Sequence, residues 1–382
     1  MTTSTLFESA VERLDHEADP IYQAFGGDRR VRRSDNPKYL QMLGEAERFM
    51  DEILFGTRPL AHFAEAMSTS DFPQLFGDSL DRQLYGAYMA TTPTWRNYAR
   101  AATVNDFRKV KRFATSGIRG QLQKVGELSE YPERAQTETE YEYAVSKYGA
   151  TFAASWEAMI NDDLDMFRRL PQDLADSVVD SEEAFVTGLF CDTSGPNASF
   201  FTSGNGNLIS GNPPLSRTAL QGAITTLMKR KDERGNPIVV TAVELVVGPG
   251  LALTAQEIID TTEYRVQDGS NLRIITGNGL AANLRLNINY WIPAVATSAN
   301  ADTSWWVFAS TSSARPAMEF GRLRGYEAPA LFEKIPDARR IGGGAEDMVD
   351  FATDGNAKKV RHVYGGTTVD PKMSVGSNGS GS

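Results

Sequence analysis

Residues 137–152 (TETEYEYAVSKYGATF) alternate with a period of two. Odd positions carry Thr137, Thr139, Tyr141, Tyr143 and Val145, and even positions carry Glu138, Glu140 and Glu142. That period marks a β-strand with one face wholly acidic in its first half. The upstream run 118–128 (IRGQLQKVGEL) reads as its antiparallel mate, and the polar stretch 129–136, with Pro132, reads as the long connection. A lone two-stranded ribbon is at best marginally stable in water, so this one is predicted to lie across a partner. A neighbouring copy of the same chain is the simplest candidate.

The chain has 382 residues, 41% hydrophobic and 23% charged, enough for one large or two modest domains with real cores. A formal charge of −10 argues against a dedicated nucleic-acid binder, which needs a cationic surface, and predicts that any contact with DNA is weak. One cysteine, Cys191, excludes an internal disulfide and suits a reducing compartment. No charged-then-apolar leader opens the sequence, and no apolar run approaches the roughly 20 residues of a membrane helix. A cytoplasmically made, soluble protein is expected.

The first seventy residues predict short helices at 7–18, 37–54 and 58–67, separated by Gly26, Gly27 and Asp28 and by Gly56 and Pro59. The basic cluster Arg29, Arg30, Arg32 and Arg33 reads more readily as a solvated turn or a match for an acidic partner than as a DNA contact. Between 71 and 98, aromatics recur among glycines and prolines, as suits an arm docking into grooves. A second basic cluster follows, Arg108, Lys109, Lys111 and Arg112. Its interleaving with Phe107, Val110 and Phe113 predicts an extended segment with a packed apolar side and outward cations. The acidic face of Glu138, Glu140 and Glu142 on a neighbouring subunit is a plausible complement, so these seven residues are the candidate inter-subunit contacts. Two unrelated solvated faces remain the alternative.

A short helix is expected at 155–167. Pro171 is then expected to open a second helix to Phe190, since a first-turn proline loses no hydrogen bond. Leu174, Val178, Phe185 and Leu189 lie near one stripe with Ala175, Val179, Val186 and Phe190 beside it, while Asp173, Asp176, Asp180, Glu182 and Glu183 are placed mainly outside. At 1.5 Å per residue this rod is roughly 30 Å long. From Ser216 the pattern becomes α/β. Ser216 caps a helix with Leu220, Ile224, Leu227 and Met228 on one face, 238–247 is a buried strand, and Thr254 caps a helix through Ile259. Strands are predicted at 272–276, 283–292, 305–309, 326–334 and 358–364, and the Gly/Ser-rich tail from Ser374 is expected to be disordered.

No pattern carries catalysis. Asp162, Asp163 and Asp165 lack the glycine and terminal glutamate of a calcium loop. The segment 248–254 (GPGLALT) sits where amides could hold phosphate but lacks a GKS or GKT ending, and 203–207 (SGNGN) and 342–344 (GGG) read as flexible loops. His16, His62 and His362 occur singly, Cys191 lacks a cationic setting, and no nucleophile elbow is present. No catalytic, cofactor or metal site is expected.

Specific strings carry a resemblance: TPTWRNYARAATVNDFRKVKRF at 92–113, GELSEYPE at 126–133, VSKYGATFAASWEAMINDDLDMF at 145–167 and VRHVYGGTTVDPK at 360–372. With the order of parts, they resemble the major capsid protein of tailed bacteriophages with the Hong Kong 97 fold, over roughly 70–372. The resemblance implies an α+β chain with a helical extension at 1–70, an N-terminal arm at 71–116, an extended loop at 117–152 and a peripheral domain with a spine helix at 153–215. It further implies an α/β axial domain at 216–320, returning peripheral strands at 321–372 and a tail at 373–382. It implies hexamers and pentamers closing an icosahedral virion head around double-stranded DNA, contacted weakly and without sequence specificity, with scaffold, portal or decoration proteins as further partners. In some relatives an N-terminal segment is cleaved; residues 1–60 are the candidate. Some relatives form Lys–Asn cross-links; Lys124 and Lys147 lie in or beside the loop, but no spacing identifies their partners, and no cross-link is predicted. The alternatives are an encapsulin-like nanocompartment subunit and, from another class, a hydrolase using Asp162 and Asp163.

Overall fold

A computed structural model describes residues 83–116, 137–155, 164–232, 235–240, 242–261, 263–268, 271–276, 284–313, 315–334 and 355–381, with Arg48, Asp81, Lys124, Val125 and Glu127. The expected helices before residue 70, the cluster Arg29 to Arg33, Asp162, Asp163, the glycines at 342–344, His16 and His62 lie outside these residues.

The described strands are β1 (Ala99–Val104), β2 (Val110–Ser116), β3 (Thr137–Tyr143), β4 (Ser146–Ser155), β5 (Cys191–Asp192), β6 (Gly195–Pro196), β7 (Val243–Val247), β8 (Glu263–Asp268), β9 (Asn271–Thr276), β10 (Leu284–Ile288), β11 (Trp305–Ala309), β12 (Met318–Leu323), β13 (Ala330–Glu333), β14 (Gly355–Thr368) and β15 (Ser374–Ser377). Among the described residues, 83–90 are helical, and the helices that follow are α1 (Leu164–Phe190), α2 (Arg217–Met228), α3 (Ala252–Asp260) and the single turn α4 (Ile292–Val295). Two compact units share them. One holds residues up to 91, 147–179 and 326–363, and the other holds 92–146, 180–325 and 364–382.

In the first unit, β14 pairs antiparallel with β13, from Ala330↔Arg361 to Glu333↔Lys358, and also pairs with β4. Leu84, Tyr88, Leu174, Ala175, Val178, Val179 and Val360 form its core. Asp81 ties into it by accepting the Leu331 amide at 2.8 Å. His362 is buried edge-on to Tyr88, a structural setting.

The second unit contains a mixed sheet ordered β10-β7-β11-β15. Strands β7 and β11 are buried throughout, which is why β11 reads as a continuous apolar run and β7 is apolar but for Glu244. Around them pack Tyr98, Phe190, Phe201, Leu220, Leu227 and Ile292. The Tyr98 and Phe308 rings stack at 5.3 Å, and Phe190 meets both Phe308 and Trp306 edge-on. In the same unit β12 pairs parallel with β1 and antiparallel with the end of β14.

Several expectations need correction. Helix α1 is one rod, beginning seven residues before Pro171, because the ladder on either side tolerates one missing bond. Its buried rows are Leu174–Val178–Glu182–Val186–Phe190 and Ala175–Val179–Glu183–Thr187, so Glu182 and Glu183 face inward while Phe185 and Leu189 are only half-buried. The strand read over 137–152 breaks at Ala144 and Val145, and β3 pairs with β2, not with 118–128. Phe107 and Phe113, expected to pack, are exposed, as is Met228. Thr254 lies inside α3, and the strand read over 283–292 ends at Ile288. Ser216 does cap α2, accepting the Ala219 amide. The tail is ordered at 374–377: β15 pairs with β11, Val375 is buried, and Gly376 sits close to Phe201 and Trp306, where small residues allow close approach. The 203–207 loop is also built. Asn207 is fully buried, accepting the Thr202 amide and donating to the Phe200 carbonyl.

Candidate assembly surface at the root of the β2–β3 ribbon

Among the described residues, strands β2 and β3 pair only with each other, in a register running from Val110↔Tyr143 to Ser116↔Thr137. Alternation then splits the ribbon by chemistry. Lys111 and Glu142 face each other across the strands, Phe113 faces Glu140, and Arg112 faces Tyr141. On the exposed side, Lys109 Nζ lies 2.6 Å from Glu142 and Lys111 Nζ 2.5 Å from Glu140. The hydrogen bond from Lys109 holds the Glu142 carboxyl below its ordinary range. Arg108 is on the preceding turn, 3.9 Å from Asp106, and Glu138 stands opposite Thr115. Of the seven residues singled out from the sequence, Lys109 and Lys111 thus meet Glu142 and Glu140 within one chain, whereas Arg108 pairs with Asp106 and Arg112 with Glu319. Four of them form two exposed ion pairs that set strand register more than stability.

The other side of the ribbon is anchored through a glutamate the sequence reading did not select. Glu319, on β12, is 2% exposed. It accepts hydrogen bonds from the Tyr143 hydroxyl at 2.7 Å and the Tyr141 hydroxyl at 3.0 Å. Arg112 Nε lies 2.9 Å from its Oε1 as an ion pair, and Arg112 Nη2 donates to the Thr103 carbonyl at 2.9 Å. Burial, and then the Glu319 charge, push the Tyr141 hydroxyl up to about 12 and that of Tyr143 further, so both stay donors at any physiological pH. Two glycines let the ribbon sit this low. A Cβ on Gly321 would fall 2.6 Å from the Tyr143 ring, and one on Gly365 would fall 2.2 Å from the Ala144 carbonyl oxygen. The signal available in the sequence was the carboxylate inside MEFGRL, a polar residue in an otherwise apolar strand followed by glycine.

Between β1 and the root of the ribbon lies an open groove of about 610 Å³, lined by Arg100 to Thr103, Val110 to Phe113, Tyr141 and Glu319. The turn Thr94–Asn97, leading into β1, is held by buried carboxylates. Glu183 accepts from the Thr94 amide and hydroxyl, Glu182 accepts from Trp95 Nε1 at 3.1 Å and from Arg322, and Asn97 donates to Asn287, which donates to Glu244 at 2.8 Å. Burial pushes the carboxyls of Glu183 and Glu244 above the ordinary range. Cys191 is buried, its thiol raised to about 12 by desolvation, and so is unreactive. Among the described residues no group of His, Cys, Asp or Glu could hold a metal, and no helix is long and apolar enough to cross a membrane.

Solved structures similar to this chain include the capsid of Ralstonia phage GP4, at 11% identity and a TM-score of 0.46, covering 73% of this chain and 86% of that one. The capsid of an empty GTA particle matches at 13% identity and 0.44, covering 75% and 89%. A virus-like particle from Pyrococcus furiosus matches at 9% identity and 0.43, covering 79% and 98%. No curated protein sequence matches the chain. The family model described as phage capsid protein matches residues 138–375, from the acidic strand of the ribbon to the last strand of the mixed sheet. That span covers more than half of the sequence, and the chain belongs to the phage capsid protein family, whose members build the virion shell from copies of themselves.

Proposed function

We propose that this shell subunit is the principal one of an icosahedral head, assembling as hexamers and pentamers around double-stranded DNA. The supporting observation is the β2–β3 ribbon. The family model takes in its strand β3 from residue 138, and among the described residues the ribbon pairs with no third strand and is fastened by Glu319 at its root. A ribbon that cannot stabilise itself but has a rigid base suits a contact reaching a neighbouring subunit. In this reading the ribbon is the extended loop of the Hong Kong 97 fold, α1 the spine helix of the peripheral domain and the mixed sheet the axial domain. The candidate inter-subunit residues Arg108, Lys109, Lys111, Arg112, Glu138, Glu140 and Glu142 then serve first to set the ribbon's register, and the exposed pairs present alternating charge to the neighbour. DNA contact is weak and without sequence specificity, because the net charge of −10 repels phosphates overall. Portal, scaffold and decoration proteins are the expected further partners, and synthesis is in the host bacterial cytoplasm. A structural shell family gives no support to a hydrolase based on Asp162 and Asp163.

The test is expression of the full chain, alone and with the neighbouring head proteins, followed by size-exclusion chromatography and negative-stain electron microscopy. Closed shells or capsomer rings are expected, with nucleic acid inside shells filled in the infected cell. A chain that stays monomeric in both settings would overturn the reading. Shells carrying protein cargo and no nucleic acid would replace it with the nanocompartment.

A further inference from the structure

In the first unit, the sheet face turned away from the core carries cations seated on aromatic rings. Leu331 and Val360 pack into that core, so the alternate positions of the paired strands β13 and β14, namely Ala330, Phe332, Lys359 and Arg361, share the opposite face. Lys334, whose amide extends the pairing to Ala357, falls on it by the same alternation, as does Lys147, at odd spacing from the core-facing Phe152 on β4. Lys359 Nζ lies 5.1 Å from the centre of the Phe332 ring, and the Arg361 guanidinium lies 4.5 Å from that ring and 5.7 Å from Tyr326. Tyr326, Phe332, Lys147, Lys334 and Lys359 are exposed. Of the nearby carboxylates, Glu333 turns to Lys358 on the core side, Asp81 takes the Leu331 amide, and Glu327 stands in the turn before β13. Among the described residues the face is therefore positive, in a chain of net charge −10.

Resting on the shell reading, which brings a polyanion within reach, we infer that this face is where the subunit meets the phosphate backbone of packaged duplex DNA. A ring beneath Lys359 and Arg361 holds each long side chain over a flat surface, which lowers the entropy lost when it meets a phosphate. The same seating occupies the ring faces, so the bases of a single strand find no free aromatic platform. A folded acidic partner would need an apolar centre to bury, and rings capped by charge do not supply one. A repeating anion read by charge alone fits the face, and contact confined to one patch is how a chain of net negative charge touches DNA weakly and without sequence preference.

Fluorescence anisotropy of a short mixed-sequence duplex, titrated with the full chain below its assembly concentration across a salt series, tests it. Lys359→Gln with Arg361→Gln should weaken binding about tenfold and make the slope of log affinity against log salt shallower by about 1.8, since each phosphate contact contributes about 0.9. Phe332→Leu should weaken binding about threefold with the slope unchanged, because both cations remain but lose their seat. The control Lys229→Gln with Lys231→Gln removes the same charge from exposed positions elsewhere and should change affinity by less than about twofold. Tm and particle yield should hold in all of these; if the double variant unfolds, Lys359→Gln alone carries the test with a slope change of about 0.9. Equal losses in the control and the face variant overturn the inference, as does a preference for oligo-dT over the duplex. Tighter binding of polyglutamate than of the duplex also overturns it and gives the face to an acidic protein. Particles formed by a chain that does not bind the duplex end the inference and leave the shell reading standing. A chain that binds the duplex through Lys359 and Arg361 yet never forms particles ends the shell reading and keeps the contact.

Discussion

Removing the Glu319 carboxylate would leave Arg112, Tyr141 and Tyr143 without their shared acceptor at the base of the ribbon. Breaking one side of a buried ion pair costs about 3–5 kcal/mol, so Glu319→Ala is expected to lower Tm by many degrees and to speed amide exchange in β2 and β3 before the rest of the unit. Uniform exchange across the unit would count against an anchor role. At Gly321 the cost is steric. An added methyl must displace the Tyr143 ring and disturb its 2.7 Å bond, and overpacking of this kind costs about 1–3 kcal/mol, measurable by thermal denaturation of Gly321→Ala. Glu244 makes a pH prediction. Its folded carboxyl titrates above the ordinary value because of burial, so the folded state holds its proton more tightly than the unfolded chain does. Stability from this group is therefore greatest at low pH and falls as pH rises from about 4.3 through the raised value. Glu244→Gln should flatten that part of the Tm–pH curve and be at least as stable near neutrality. An unchanged slope would refute the assignment.

Among the elements, the ribbon separates charge from stability. Its outer ion pairs are exposed and screened by salt, so Glu140→Lys with Glu142→Lys should leave the subunit's Tm nearly unchanged while reducing particle yield. A large loss of Tm with normal yield would reverse the assignment. The period-two pattern revealed β3 and its outward carboxylates because alternation is local, but it could not choose between β2 and 118–128 as the mate, which depends on the anchor at Glu319. Likewise β11 was legible to its end residues, since five consecutive apolar positions have one reading in a buried sheet. Helix α1 was legible as an amphipathic rod, but Glu182 and Glu183 were misplaced because a carboxylate is normally assigned to solvent. Trp95, Thr94 and Arg322, distant in sequence, are what make their burial tolerable.

For the whole molecule, a shell held by many individually weak contacts should appear above a sharp concentration threshold, visible in light scattering across a dilution series. A gradual dimer series with no threshold would not fit. The sequence by itself determined the class of answer: an α+β chain with real cores, an acidic-faced strand in a two-stranded ribbon, and a long amphipathic helix. These are properties of local period and composition, which neighbouring residues set. Tertiary structure alone decided which strand pairs with β3, that β15 is part of a sheet, and that Glu319 anchors the ribbon. Each depends on residues far apart in the chain, where burial and hydrogen-bond satisfaction override the preference a residue shows alone.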